Sequence, residues 1–383
     1  MKKALRNSLV LILSLIFLIP SSYASEEYKK PKDLKMAKLL FGGDVLPHIN
    51  FDEYALTYGG DRYNYDNFFM PLSSFTKDSD LFIVNCEFTS NPNLAPSGYP
   101  TFNSNHAIYG SLNKIGVDVI TTANNHALDT GIKGLDSTID AINHHGIDHV
   151  GTRKNPKKRY LIKEVNGINV GILAYAEQLN GLDYLLDTKE KQMKIDTLDP
   201  LTIKKDIENI LKEGAEFVII YPHWGVEYSS YPEDYQIKLA QAMIDWGADM
   251  VIGNHPHVIQ PREEYESIDG RKGIIYYSLG NLTSNQNHKY FNGDYRVEQG
   301  LIVESIIYKY ENDKRAKILN TTYHSVCTDT SYDEYGLINK SYVTDDYENI
   351  FKNGDMTRSL LDLMKQARKM TYETMHTKVE GPY

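Results

Sequence analysis

Met250-Val251-Ile252-Gly253-Asn254-His255-Pro256-His257 is the stretch whose reading decides the fold. Three apolar residues stop at a glycine, and an amide and two imidazoles follow at once. A continuous apolar run of this kind reads as a strand buried on both faces, as in a parallel sheet. Two histidines at i and i+2, held extended by the intervening proline, project toward one centre. Ligating groups placed where a strand stops are the mark of an open α/β sheet, in which the carboxyl ends of the strands collect at a ligand-binding edge.

The same arrangement recurs on either side. The apolar run at 39–41 stops at Gly42-Gly43-Asp44, that at 81–84 at Asn85-Cys86-Glu87, and that at 117–121 at Thr122-Ala123-Asn124-Asn125-His126. Further runs occupy 170–175, 217–221 and 274–279. The second of these ends at Pro222-His223-Trp224-Gly225 with Glu227 close behind, and the third carries Ser278 and ends at Gly280-Asn281. Helical periodicity over 132–144, 201–212 and 235–246 completes a β–α alternation, which predicts an α/β fold with helices covering the sheet. Past Gly300, residues 301–310 and 317–322 read as antiparallel strands, and 346–373 as one or two polar helices.

Asn85 and Glu87 share one face of an extended chain, and Cys86 faces away from them. Asn125 and His126 are adjacent and diverge, so one can take a metal while the other reaches a substrate. Asp44, Glu87, Asn125, His223, His255 and His257 together offer two carboxylates, one amide and three imidazoles, enough for two divalent ions. A set of oxygen and nitrogen donors without thiolate suits Mn, Fe, Zn or Mg rather than a structural zinc knot. Two such ions roughly 3.5–4 Å apart polarise a substrate oxygen and activate a water.

Composition bounds the partners. The chain has 383 residues, with 51 acidic against 41 basic and a formal charge of −10, which opposes a nucleic-acid or anionic-membrane binder. Two cysteines, Cys86 and Cys327, rule out a disulfide scaffold. One bridge between them is open in an oxidising compartment, though a free buried Cys86 is the favoured reading. Lys2, Lys3 and Arg6 precede an apolar run at 9–19 and a small-residue site at Ser22-Tyr23-Ala24. Residues 1–24 therefore read as a signal peptide or N-terminal anchor, 25–37 as a linker, 38–325 as the main domain and 326–383 as a C-terminal extension. The reading implies an extracytoplasmic protein, secreted or membrane-associated.

Taken in order, Gly-Gly-Asp44, Asn85-x-Glu87, Ala-Asn-Asn125-His126-Ala-Leu-Asp129-x-Gly131, His223-Trp-Gly-x-Glu227-Tyr, His255-Pro-His257-Val and Tyr-Ser278-Leu-Gly-Asn281 resemble the motif series of the CapA family of capsule-assembly proteins. That family is tied to poly-γ-glutamate synthesis and related to the calcineurin-like metallophosphoesterases. The resemblance implies a metallophosphoesterase-like four-layer αββα sandwich, here with a C-terminal helical extension. It implies Asn125 as a metal ligand and His126 as the catalytic acid, with Glu87 bridging two ions and Asp44 the first-strand ligand. Asn85, Asp129, Glu227, Ser278 and Asn281 are then supporting or substrate-facing. Many such phosphoesterases carry Asp-x-His on the first strand. Here Leu46 stands at the histidine position, His48 follows Pro47, and Asn85 is the candidate to supply the missing contact. The implied partners are the poly-γ-glutamate polymer and membrane proteins of capsule synthesis. The competing functions are an extracytoplasmic phosphodiesterase or phosphatase and a non-catalytic polymer-binding scaffold.

Three other features read as ordinary. Tyrosines at 54, 58, 63, 65, 228, 231 and 235 fit a tyrosine-rich composition (29 in all) better than a polymer grip. His144, His145 and His149 read as a solvated helix end. The basic island at 153–159 reads as an exposed loop.

Overall fold

Strand β1 (Leu34–Leu46) is far longer than the apolar run that announces it. It starts inside the stretch read as a linker, because residues 34–37 already pair into the sheet. The computed structural model describes residues 33–156, 159–354 and 356–380. The segment read as a signal peptide lies outside the described residues. Residues 35–383 form one compact unit, which carries everything that follows.

After β1 come β2 (Leu81–Cys86), β3 (Val119–Thr121), β4 (Asp148–Val150), β5 (Leu161–Val165), β6 (Ile168–Ala176) and β7 (Phe217–His223). Then follow β8 (Met250–Ile252), β9 (Arg262–Glu266), β10 (Lys272–Tyr276), β11 (Asn281–Ser284), β12 (Gln299–Tyr310), β13 (Lys317–Asp333) and β14 (Gly336–Val343). The longer helices are α1 (Ile49–Gly59), α2 (Ala107–Lys114), α3 (Gly131–His144), α4 (Pro200–Lys212), α5 (Asp234–Trp246), α6 (Tyr347–Lys352) and α7 (Arg358–Met375).

Two sheets form. One runs β14-β13-β12-β1-β2-β3-β4, with β11 also pairing β1; the other runs β5-β6-β7-β8-β10-β9. In the first, β2, β3, β4 and β11 are parallel to β1 or to its neighbours. In the second, β6, β7, β8 and β10 are parallel.

Side-chain alternation along the strands fixes the layers. Leu81 and Ile83 of β2 join Phe217 and Ile219 of β7 and Met250 and Ile252 of β8 in one cluster between the sheets. The alternate residues Phe82 and Val84 face outward, toward Phe51 of α1 and Leu112 of α2. Val218, Ile220 and Val251 face the other way, toward α4 and α5. Each sheet is thus covered on both faces, and the result is a four-layer αββα sandwich. Helix α4 is amphipathic for this reason: Ile203, Ile207 and Ile210 recur on one face, and Asp199 caps its N-terminus by accepting from Thr202 N at 2.8 Å.

The boundary expected at residue 325 falls inside β13, which pairs with β12 on one side and β14 on the other. The tail from 326 is therefore part of the sheet and not an appendage. Helices α6 and α7 lie over it, burying Ile350, Leu360, Met364 and Ala367 against Cys327 and Tyr342. Cys86 and Cys327 are both buried and free, in different clusters. The tyrosines after the first motif are packing residues: Tyr54 and Tyr65 are buried, and Tyr65 donates to Asp52 at 2.5 Å. The basic island is an ion-pair network, not a free loop. Arg153 and Arg159 both bind Asp196, and Arg159 also reaches Asp206 at 2.8 Å.

Where β1 ends, two backbones almost touch. Asp44 N donates to Gly280 O at 3.0 Å, and a Cβ on Gly43 would stand 2.0 Å from the same oxygen. No flexible side chain can give way there. Gly43→Ala is expected to cost more than about 3 kcal/mol of unfolding free energy, read as a lower urea midpoint. An unchanged midpoint would mean that the β1–β11 approach is looser than described.

Candidate metal centre

The strand ends of both sheets meet over a buried group of carboxylates and imidazoles. Parallel pairing sets Asp44 opposite Asn85 on one side and Asn281 on the other. Asp44 Oδ1 accepts from Asn85 Nδ2 at 2.7 Å, while its Oδ2 accepts from His255 N at 3.2 Å and lies 3.4 Å from His257 Nδ1. Glu87 is fully buried just past β2. Its Oε1 stands 3.4 Å from His223 Nε2, 3.7 Å from His257 Nε2 and 3.9 Å from His126 Nε2. His223 Nε2 is also 2.7 Å from Asn125 Oδ1 and 3.2 Å from His255 Nδ1. All six residues read from the sequence as ligands therefore converge on one centre.

One expectation about backbone is corrected. His255 and His257 are not extended; both have positive φ, 99° and 57°. The chain turns because His255 N is held by Asp44 and Pro256 O accepts from Tyr228 N at 2.8 Å. The rings still face the same centre. Two non-glycine residues in this region cost of order 1–3 kcal/mol each, a strain that concentrates at functional sites.

Asn85 is not a replacement ligand. Its Nδ2 is given to Asp44, and its Oδ1 accepts from Thr121 at 3.0 Å and Asn124 at 3.3 Å. It positions Asp44 instead. His48 turns its Nδ1 to Leu46 O at 3.2 Å and packs edge-on against Phe102. Asn281 Oδ1 sits 3.0 Å from His257 Nδ1, and its Nδ2 is anchored on Gln286 and Val297 O, so it aims that ring. The Ser278 hydroxyl is used locally, accepting from Gly280 N at 3.1 Å. Glu227 is exposed, yet a carboxylate oxygen of it lies within 4.8 Å of ligand atoms of His255 and His257. That places a third carboxylate on the solvent side of the cluster.

His126 has its own partner. Its Nδ1 is 2.7 Å from Asp129 Oδ2, which also accepts from Phe102 N at 2.6 Å. Phe102 packs edge-on against the ring at 4.6 Å. Fixed from behind in this way, His126 presents Nε2 toward Glu87. The loop after β6 adds two residues that the sequence reading passed over. Asn180 accepts from Asn125 Nδ2 at 3.3 Å and lies 3.5 Å from the His126 ring nitrogens, and Gln178 approaches His255 Nε2 at 3.4 Å. The signal was there, because the run at 170–175 also stops at polar residues.

The electrostatics of these groups favour an added positive charge among them. Burial pushes Glu87 up to about 8, beyond what His257 nearby can offset. Burial alone would raise Asp44 too, but its bond with His257 and the His223 charge hold it below its ordinary value. Burial drives His223 down to about 3 and His255 well down. Against its own burial, His257 is pushed up to about 9 by Glu87 and Asp44. Both Glu87 oxygens lack any hydrogen-bond partner. A buried carboxylate without donors is costly unless it is paired or holds a metal. Glu87 with His223 and His255, and Asp44 with Glu87 and His257, each form a group able to hold an ion. The donor set fits divalent cations.

Residues 38–286 match the family described as bacterial capsule synthesis protein PGA_cap, a span that includes every residue named in this cluster. The chain is 32% identical over 257 residues to the capsule biosynthesis protein CapA of Bacillus anthracis, covering 64% of this chain and 59% of that one. It is 33% identical over 178 residues to the PGA biosynthesis protein CapA of Bacillus subtilis (strain 168), covering 46% and 44%. The chain thus spans about half the length of the curated relatives it matches. Among solved structures, the calcineurin-like phosphoesterase YfkN from Bacillus subtilis aligns with a TM-score of 0.46 and 15% identity, over 88% of this chain and 99% of that one.

The orphaned carboxylate gives a direct test. In chelator-treated protein at neutral pH, Glu87→Gln is expected to raise the unfolding free energy by about 1 kcal/mol or more, since the variant no longer has to protonate a carboxylate on folding that is ionised in the unfolded chain. It is also expected to abolish any gain in stability on adding a divalent ion. Urea titration with and without chelator reads both; a lower midpoint in the chelated variant would mean that Glu87 is satisfied without an ion.

Proposed function

The chain belongs to the bacterial capsule synthesis protein PGA_cap family, and from that premise we propose that it serves poly-γ-glutamate capsule synthesis outside the cytoplasm, through a divalent-metal site. The single observation behind the metal site is Glu87: fully buried, without a hydrogen-bond donor on either oxygen, and faced by three imidazoles. Asp44, Glu87, Asn125, His223, His255 and His257 would hold two ions, of Mn, Fe, Zn or Mg type. When bound, such ions supply Lewis-acid charge and an activated water.

The rest of the chemistry falls to the chain's own residues. Asp129 accepts from His126 Nδ1 and so leaves Nε2 facing the cluster, where the imidazolium form would give its Nε2 proton to a leaving group and return to neutral imidazole. Phe102 and Asn180 hold that ring from two sides. Asn281 and Asn85 fix His257 and Asp44 without titrating themselves. This division favours hydrolysis or transfer at a phosphate or amide-like centre over a purely passive scaffold, which has no use for an oriented His–Asp pair. The polymer and membrane-bound synthesis proteins are the partners that this reading names.

His126→Ala is expected to retain divalent ions at the wild-type stoichiometry and to lose roughly 10²–10⁴-fold in hydrolysis. Metal analysis of the purified variant is paired with turnover against phosphodiesters and γ-glutamyl polymer. Wild-type protein that holds no divalent ion near stoichiometry would sink the reading, as would loss of metal in the variant.

A further inference from the structure

His106 is the N-cap residue of α2, and His144 and His145 are the last residue and C-cap of α3. Two separate elements thus bring three imidazoles together, where the sequence alone offers only a solvated helix end. The ring centroids are 5.1 Å apart for His144–His145, 5.3 Å for His106–His145 and 6.0 Å for His106–His144. His106 Nδ1 lies 3.0 Å from His145 Nε2. Two imidazoles on one tetrahedral ion, each at about 2.0–2.1 Å, place their nitrogens about 3.3 Å apart. The observed pair is within a few tenths of that. His149, named with the others in sequence, sits apart on β4.

Two further observations indicate a built arrangement. Gly110 lies inside α2, where glycine costs about 1 kcal/mol relative to alanine. A Cβ there would meet His145 Nδ1 at 3.1 Å, so the missing side chain is the space that the imidazole occupies. His106 and His144 also line a cavity of about 760 Å³, together with Asn105, Ser137, Tyr63 and Asp140, the last one helical turn before His144. Among the described residues Asp140 pairs with Lys154 at 2.5 Å, an exposed pair that contributes little.

We infer that His106, His144 and His145 form a second metal site, for a late first-row divalent ion of the zinc class. His106 and His145 already stand at ligand separation. His144 is exposed and completes the set by side-chain rotation, and the fourth position opens to the cavity. All-imidazole ligation selects zinc, nickel or copper over magnesium or calcium. This site is chemically distinct from the buried carboxylate–imidazole centre, and it stands or falls independently of it.

The test is competitive zinc titration against a chromophoric chelator, on the full chain. Wild type is expected to bind one ion more than His106→Ala/His145→Ala, with micromolar affinity and no competition from magnesium. The central variant Asp44→Asn/His255→Ala should keep that ion and lose it when His106→Ala is added. Gly110→Ala should weaken it by about tenfold, the scale of an outer-shell defect. His106 is exposed, so its replacement leaves folding intact, and circular dichroism checks this. Equal stoichiometry in wild type and His106→Ala/His145→Ala would overturn the site, as would binding only at millimolar zinc.

Discussion

A backbone contact that only glycine allows fixes the centre of this molecule. Gly43 and Gly280 pass so close that no side chain fits between them, and Asp44 N bonds Gly280 O across the gap. That approach lets β11 pair with β1, in parallel and with a shift of register just after Asp44, on the side opposite β2. Asn85, Asp44 and Asn281 then stand in a row across three strands. From that row, Asn85 holds Asp44, Asn281 holds His257, and Asp44 holds the turn that carries His255. The second sheet supplies His223 from the end of β7. The centre is therefore not a property of one loop. It exists only when two sheets are packed at the correct offset.

The charge arrangement explains why such packing needs help. Two buried carboxylates and three buried imidazoles cannot all satisfy one another, and their pulls are opposed. Asp44 is held low and Glu87 pushed high; His257 is pushed high while His223 and His255 are pushed low. His257 is drawn to both carboxylates, lying 3.4 Å from Asp44 and 3.7 Å from Glu87, yet neither Glu87 oxygen has a hydrogen-bond partner. Burying a lone carboxylate costs several kcal/mol even after relaxation (of order 3–5 kcal/mol when a partner is missing). A fold that keeps this group, together with two strained histidines, gives up stability at one place. That is the pattern of a site built for a bound cation.

Much of this could be read in the sequence, for a physical reason. Strands buried on both faces must be apolar throughout, so the run at 250–252 and its counterparts stand out, and the polar residue that ends each one is conspicuous. The strands that escaped are those at edges or with one wet face. Arg262–Glu266 is a charged stretch that was not among the runs read as strands, and it pairs antiparallel with β10. Helix α1 was hidden because its buried residues, Phe51, Tyr54 and Ala55, sit among Asp, Glu and Thr. The conformation of His255 and His257 could not be read either. Proline at 256 argues locally for an extended chain, and only contacts from residues 44 and 228 override it. Asn85 was misplaced for a similar reason: its direction was legible, but its prior commitment to Thr121 and Asn124 was not.

The acidic balance acquires a sharper meaning from the same geometry. Several buried or half-buried cations are taken by carboxylates: Arg153 and Arg159 by Asp196 and Asp206, Arg315 by Asp249, and Lys309 by Glu216. Within the centre, the charges that act on Asp44, Glu87, His223, His255 and His257 are one another's and those of His126 and Glu227. A polyanion approaching a protein of formal charge −10 would meet carboxylates first. Divalent ions in the cluster would reverse that local sign, and through-space attraction to an ion is strong where water is excluded. Ion and polyanion would then bind with positive coupling, and linkage makes the coupling reciprocal: whatever affinity the ions add for the ligand, the ligand adds for the ions.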